Sequence, residues 1–196
     1  PMITVTFLGT SCMVPTKQRN HSSVLLSYKG EGILFDCGEC TQRQLKIAGI
    51  KPTKITKVLI SHWHGDHVLG LPGLLQTLGA SDYSRVLEIY GPVGTKKFVD
   101  TMTKAFVFDK RIDFVVKDIV SGVFFENNDF KLEAIGLEHG IRTLGFRFVE
   151  KDRRKINLRY VRKLGIPDGK LLGKLQDGND VVFKGNLVKV EDATFI

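Results

Sequence analysis

Short stretches of β-branched and aromatic residues, bounded by glycine, proline and polar turns, recur at residues 3–8, 24–28, 33–35 and 57–61 and predict strands. Helical patterns interleave with them over 40–48, after Asp36-Cys37-Gly38-Glu39, over 65–78, and over 95–106, after Gly91-Pro92. Further on, the stretches 112–119, 122–126, 130–135 and 143–149 follow one another without intervening helices. They predict an antiparallel meander with a hairpin turn at Asn127-Asn128-Asp129. Residues 153–178 carry charge and scattered Leu and Ile with little strand pattern, and 180–190 predict a hairpin turning at Lys184-Gly185-Asn186. Strands that first alternate with helices and then run together point to a layered α/β fold with helices covering sheet faces.

Composition narrows the class. At 196 residues and 42% hydrophobic, the chain suits one ordinary globular domain. The longest apolar candidate, 68–78, is interrupted by Gly70, Pro72, Gly73, Gln76 and Thr77 and falls short of the roughly 18 residues of a membrane span. With no basic leader before the first strand, the expected location is cytoplasmic, without a membrane partner. Three cysteines, Cys12, Cys37 and Cys40, do not make a disulfide framework. The formal net charge of +8 is concentrated: residues 151–174 hold nine basic residues against Asp152 and Asp168. Such a basic segment on a nearly neutral body suits a polyanionic partner, and equally a solvated charged loop.

The chemistry is concentrated in Ser61-His62-Trp63-His64-Gly65-Asp66-His67, which places three of five histidines directly after the apolar strand Val58-Leu59-Ile60. In an extended strand end, residues two apart share a side, so His62 and His64 can offer imidazoles to one cation while Asp66 and His67 face a neighbouring position. Imidazole and carboxylate donors without thiolate suggest zinc, with manganese or iron as competitors. His139, between glycines in Gly136-Leu137-Glu138-His139-Gly140, is the natural third ligand. His21 reads as a loop or packing residue, Trp63 as packing, and Cys37 with Cys40 as packing. Asp36, ending an apolar strand, reads either as a group orienting the ligands from behind or as a helix cap.

The His62-x-His64-x-Asp66-His67 pattern resembles that of the metallo-β-lactamase superfamily. Further blocks resemble the ribonuclease Z family within it: Phe7-Leu8-Gly9-Thr10, Phe35-Asp36-Cys37-Gly38-Glu39-Cys40-Thr41-Gln42, Gly65-Asp66-His67-Val68-Leu69-Gly70-Leu71-Pro72-Gly73-Leu74, and the P-x-K-x-R-N loop Pro15-Thr16-Lys17-Gln18-Arg19-Asn20. The resemblance implies an αββα sandwich and a zinc-dependent endoribonuclease that removes the 3′ trailer from precursor transfer RNA. It implies two Zn²⁺ per complete site, with Mn²⁺ as a substitute: His62, His64 and His139 on one ion, His67 on the other, and Asp66 as both ligand and general base. Lys17, Arg19 and Asn20 would lie near the acceptor end of the RNA. Residues 151–178 would form an exosite arm, with Arg153, Arg154, Lys155, Arg159, Lys170 and Lys174 on the RNA backbone. This arm would be inserted between a metal-binding body at 1–150 and a returning hairpin at 179–196. Lys170 stands where the family has the proline of a Gly-Pro pair.

The family pattern also contains a bridging aspartate in a Gly-Asp-Thr motif and further histidines, and no histidine follows His139. The second half of the sandwich is therefore expected from outside these residues or from another chain, and the resemblance implies a homodimer or, alternatively, a distinct second chain that completes the site. Two other readings stay open. One is a different hydrolase or phosphodiesterase on the same fold, and the other a catalytically silent RNA-binding subunit.

Overall fold

The computed structural model describes residues 2–105, 107, 111–152 and 154–196. Six strands, β1 (Thr4–Gly9), β2 (Ser23–Tyr28), β3 (Glu31–Phe35), β4 (Lys57–Leu59), β5 (Leu87–Pro92) and β6 (Phe114–Ile119), form one sheet in that order. Pairing is antiparallel from β1 to β3 and parallel from β3 to β6. The register explains the sequence pattern. Leu25, Leu34, Val58 and Ile89 stand opposite one another across four strands and form one fully buried row. They share a core with helices α1 (Thr41–Ile47), α2 (Gly65–Val68), α3 (Leu71–Gly79) and α4 (Thr95–Lys104), through Leu45, Val68, Leu71, Leu74, Leu75, Leu78 and Val99.

The alternate positions face a second sheet of β7 (Gly122–Glu126), β8 (Phe130–Leu137) and β9 (Thr143–Glu150). Rings bridge the two layers. Phe35 meets Phe146 at 6.1 Å, Tyr90 meets Phe124 at 5.0 Å, and Tyr28 meets Phe148 edge-on at 5.5 Å. Helices, sheet and second sheet thus stack as three layers, in the α/β/β order of the sandwich expected from the sequence. A lysine enters this interface because its charge is matched. Lys57 Nζ lies 2.9 Å from Glu31 and 3.3 Å from Glu88, and 4.2 Å from the centre of the Phe125 ring.

Three elements depart from the pattern read in the sequence. The helix expected over 65–78 is two helices, parted at Gly70, where the chain turns against the preceding strand end. A side chain at Gly70 would come within 1.9 Å of the Gly38 carbonyl oxygen, and the Gly70 N–H donates to Cys37 O at 2.9 Å. The strand at Phe114–Ile119 joins the first sheet parallel to β5 instead of opening the meander. Strand β5 itself lacks a period-2 signal because it is the fully covered kind, with five of its six residues buried. Phe106, at the end of the third expected helix, lies outside the described residues.

Residues 127–130 and 149–196 form a compact unit of their own. It contains β10 (Lys155–Ile156), α5 (Leu158–Lys163), α6 (Lys170–Gln176), β11 (Val181–Phe183), β12 (Asn186–Val188), α7 (Val190–Ala193) and β13 (Thr194–Phe195). Strand β10 pairs with β13, and β11 with β12 across the turn at Lys184-Gly185. Val161, Ile166, Leu175, Val181, Val188 and Ala193 make a small buried cluster. Residues 151–178 and 179–196 therefore share one core.

The Lys57 network gives the fold an acid-sensitive element. Burial alone would raise Glu31 and Glu88. For Glu31 it is outweighed by hydrogen bonds from Thr56 and Lys57, and for Glu88 by those from Tyr90 and Lys117, so both carboxyls lie below their ordinary 4.5. Their folded-state values are depressed, so their contribution is present above the unfolded value and is lost as pH falls through it and below. Glu31→Gln is expected to destabilise the protein at neutral pH by about 1–3 kcal/mol and to flatten the decline of stability below pH 4.5, read by denaturant titration across pH.

Candidate metal centre

The residues of the histidine motif occupy the carboxyl end of β4, where the parallel half of the sheet opens. Asp36, one residue past β3, organises them. Its backbone is left-handed, with φ of 56°, a conformation aspartate tolerates better than most side chains. Oδ1 accepts from the Ser61 N–H at 2.7 Å, and Oδ2 accepts from Ser61 Oγ at 2.8 Å and from His67 Nδ1 at 2.6 Å. With its proton spent on Asp36, Ser61 Oγ accepts from His62 Nδ1 at 2.9 Å. One carboxylate thus fixes the tautomer of two imidazoles and leaves Nε2 of each as the outward nitrogen.

His62, His64 and His139 converge, with one nitrogen from each within 4.8 Å of the others. Among the described residues this is the one group of three or more such donors. The imidazoles cross nearly at right angles, His62 to His64 at 4.8 Å and His62 to His139 at 4.7 Å between ring centres. His139 arrives from the loop between β8 and β9, and the Leu144 N–H bonds the Ser61 carbonyl at 2.9 Å, which ties that loop region to the β4 end. Burial, and then the charge of His67, push His62 down to about 4, so it is neutral and has its lone pair available near neutral pH. Three converging imidazoles suit a divalent transition metal.

Asp66 and His67 form a neighbouring pair. His67 Nε2 lies 3.5 Å from Asp66 Oδ2, and the His67 ring is 4.1 Å from that of His62. Burial would raise Asp66, but the Met13 N–H at 2.9 Å and the charge of His67 hold it below the usual carboxylate range. Burial would lower His67, but its bond to Asp36 and the two carboxylates raise it.

The Met13 hydrogen bond connects this pair to the loop that carries the other candidate residues. Lys17 and Arg19 are exposed on a turn in which the Arg19 N–H donates to Thr16 Oγ1 at 2.9 Å. Asn20 instead spends its amide on the Glu39 carbonyl oxygen at 2.6 Å, and its own carbonyl accepts from Thr10 and Ser11. His21, unassigned from sequence, is buried with Nε2 3.2 Å from the Met13 carbonyl oxygen, so it braces the same loop. The basic candidates of 151–178 divide by environment. Lys155, Arg159, Lys170 and Lys174 are exposed, Arg154 is half-buried with Nη1 3.4 Å from Thr194 Oγ1, and Arg153 lies outside the described residues.

A family profile for the metallo-β-lactamase superfamily matches residues 16–145, and the chain belongs to that superfamily. Within it, the chain is similar to ribonuclease Z. It is 40% identical to the ribonuclease Z of Thermococcus kodakarensis over 98% of its length, and 39% identical to that of Methanothermobacter thermautotrophicus over 97%. It spans 62% of the length of each of these relatives. The crystal structure of the short form of human tRNase Z superposes with a TM-score of 0.71 at 36% identity, covering 78% of this chain and 66% of that one. No helix among the described residues is long and apolar enough to cross a membrane.

Two outcomes test this centre. His139→Ala is expected to abolish stoichiometric metal in the purified protein by elemental analysis. Asp36→Asn, which keeps all three imidazoles, is expected to weaken metal affinity about 10–100-fold in competition with a chromophoric chelator.

Proposed function

We propose that this chain carries the metal-binding half and the RNA-gripping unit of a zinc-dependent endoribonuclease that removes the 3′ trailer from precursor transfer RNA. The observation that carries the reading is the convergence of His139 on the His62 and His64 pair beside Asp66 and His67, in a chain 40% identical to a ribonuclease Z. His62, His64 and His139 would hold one Zn²⁺, and Asp66 with His67 would contribute to a second; Mn²⁺ suits the same donors. Bound there, such ions would supply Lewis acidity toward a phosphoryl oxygen and acidify water near neutral pH.

The chain's own residues do the rest. Asp36 fixes the imidazoles through Ser61 and His67. Asp66, held below the usual carboxylate range, stays ionised near neutral pH and would serve as ligand and proton acceptor. Lys17 and Arg19 offer cations to the acceptor-end phosphates, on a loop that the Met13 bond ties to Asp66. Lys155, Arg159, Lys170 and Lys174 present positive charge to the RNA backbone, each neutralised phosphate adding about 0.7–0.9 to the salt slope. Arg154, with its guanidinium against Thr194, supports the unit as well as adding charge. The remaining ligands would come from sequence beyond these 196 residues or from a distinct second chain, and the assembly would be a homodimer or that mixed pair. The site of action would be the cytoplasm.

The test is cleavage of precursor transfer RNA in zinc or manganese by the protein together with any polypeptide that co-purifies. Asp66→Ala is expected to abolish cleavage and leave RNA binding intact. Charge reversal at Lys170 and Lys174 is expected to weaken binding and to lower the salt slope by about 0.7–0.9 for each phosphate no longer neutralised. RNA binding that is insensitive to salt and to these charges would overturn the reading.

A further inference from the structure

Trp63 stands between two of the converging histidines, and its indole is fixed by a series of interactions that the metal does not need. Its Nε1–H donates to Thr95 Oγ1 at 2.8 Å, and Thr95 Oγ1 in turn donates to the Pro92 carbonyl at 2.7 Å. The Phe98 ring stacks on the indole at 4.9 Å and 30°. The first turn of α4, which presents both Thr95 and Phe98, is itself anchored. Asp118 accepts from the Gly94 N–H at 3.1 Å and the Lys96 N–H at 2.9 Å, and Gly94 holds a φ of 110° that other residues rarely adopt.

Beside this stacked pair is a cavity of about 440 Å³, lined by Trp63, His64, Val93, Phe98, Ile141 and Arg142. Its size lies within the usual range for small-molecule sites of about 300–1,000 Å³. Phe98, Val93 and Ile141 are 47%, 46% and 40% exposed, so apolar surface faces solvent directly beside a polar centre. Arg142, whose Nη1 donates to the Val93 carbonyl at 3.2 Å, adds a planar cation to the rim. Aromatic faces, a guanidinium and a wall shared with His64 select a flat, electron-rich ring attached to an anion held at the metal centre.

We propose that this pocket receives a nucleobase flanking the phosphodiester presented to His62, His64 and His139. The proposal rests on the phosphodiester reading above and adds a binding site for the base. A base on a stacking floor is held with little regard to its identity, because every base has a π-face. The pocket would therefore set the position of the strand relative to the ion without demanding one nucleotide.

The sequence supplies the reporter, because Trp63 is the one tryptophan in the chain. Indole fluorescence is followed while the protein, in zinc and again in chelator, is titrated with a short single-stranded RNA and with an abasic oligomer of the same length. The RNA is expected to quench Trp63 and the abasic oligomer to leave it unchanged. Phe98→Leu keeps an apolar partner for the indole but removes the π-face, and is expected to raise the RNA midpoint about tenfold without changing binding of a labelled abasic oligomer. Val93→Ala, at a half-exposed wall position, checks the pocket without touching the stack and is expected to shift the midpoint in the same direction. Equal quenching by the abasic oligomer, or an RNA midpoint indifferent to both substitutions, would overturn the pocket. The two readings fail separately. Base-dependent quenching in a protein that binds no metal would refute the phosphodiesterase reading alone, and metal-dependent cleavage without base-dependent quenching would refute the pocket alone.

Discussion

The centre depends on one carboxylate in an uncommon backbone conformation. Asp36 leaves β3 left-handed, and that turn aims both oxygens at the end of β4, where they take the Ser61 N–H, the Ser61 hydroxyl and the His67 ring. An exit from β3 that turned these oxygens away would leave two imidazoles without the partner that fixes their tautomers. The tight packing at Gly70 follows from the same geometry, since α2 returns the chain to the Cys37 and Gly38 carbonyls immediately beyond Asp36.

The donor set was legible because its chemistry is dense in sequence: His62, His64, Asp66 and His67 fall within six residues, and strand periodicity alone puts the first two on one side. His139 was reachable only by asking what could complete them. The bracing role of His21 and the amide bond of Asn20 to Glu39 left no local signal, because both depend on how loop 11–20 folds back over distant backbone. Asp36 does not cap α1, which has no side-chain cap, and its oxygens are taken by Ser61 and His67. Strand β5 escaped because burial on both faces erases alternation. The short helices between residues 158 and 176 escaped because their apolar anchors stand singly among charges.

The two compact units divide the physical work. In the larger, Lys57 is buried against two carboxylates and the donor side chains gather at the end of β4. In the smaller, a core of six aliphatic side chains leaves Lys155, Arg159, Lys170 and Lys174 outside. A charged segment carried on a folded unit loses less conformational entropy on meeting a polyanion than a free arm would, because its backbone is already ordered.

His139 is carried by a strand loop of the second sheet, and His62 and His64 by the end of the first, with 74 intervening residues between His64 and His139. An ion shared by the three would act as a cross-link between layers, closing a long loop in the manner of a covalent staple. Holding the cofactor and holding the two sheets in register would then be one equilibrium, so the protein's resistance to unfolding would rise with free metal concentration.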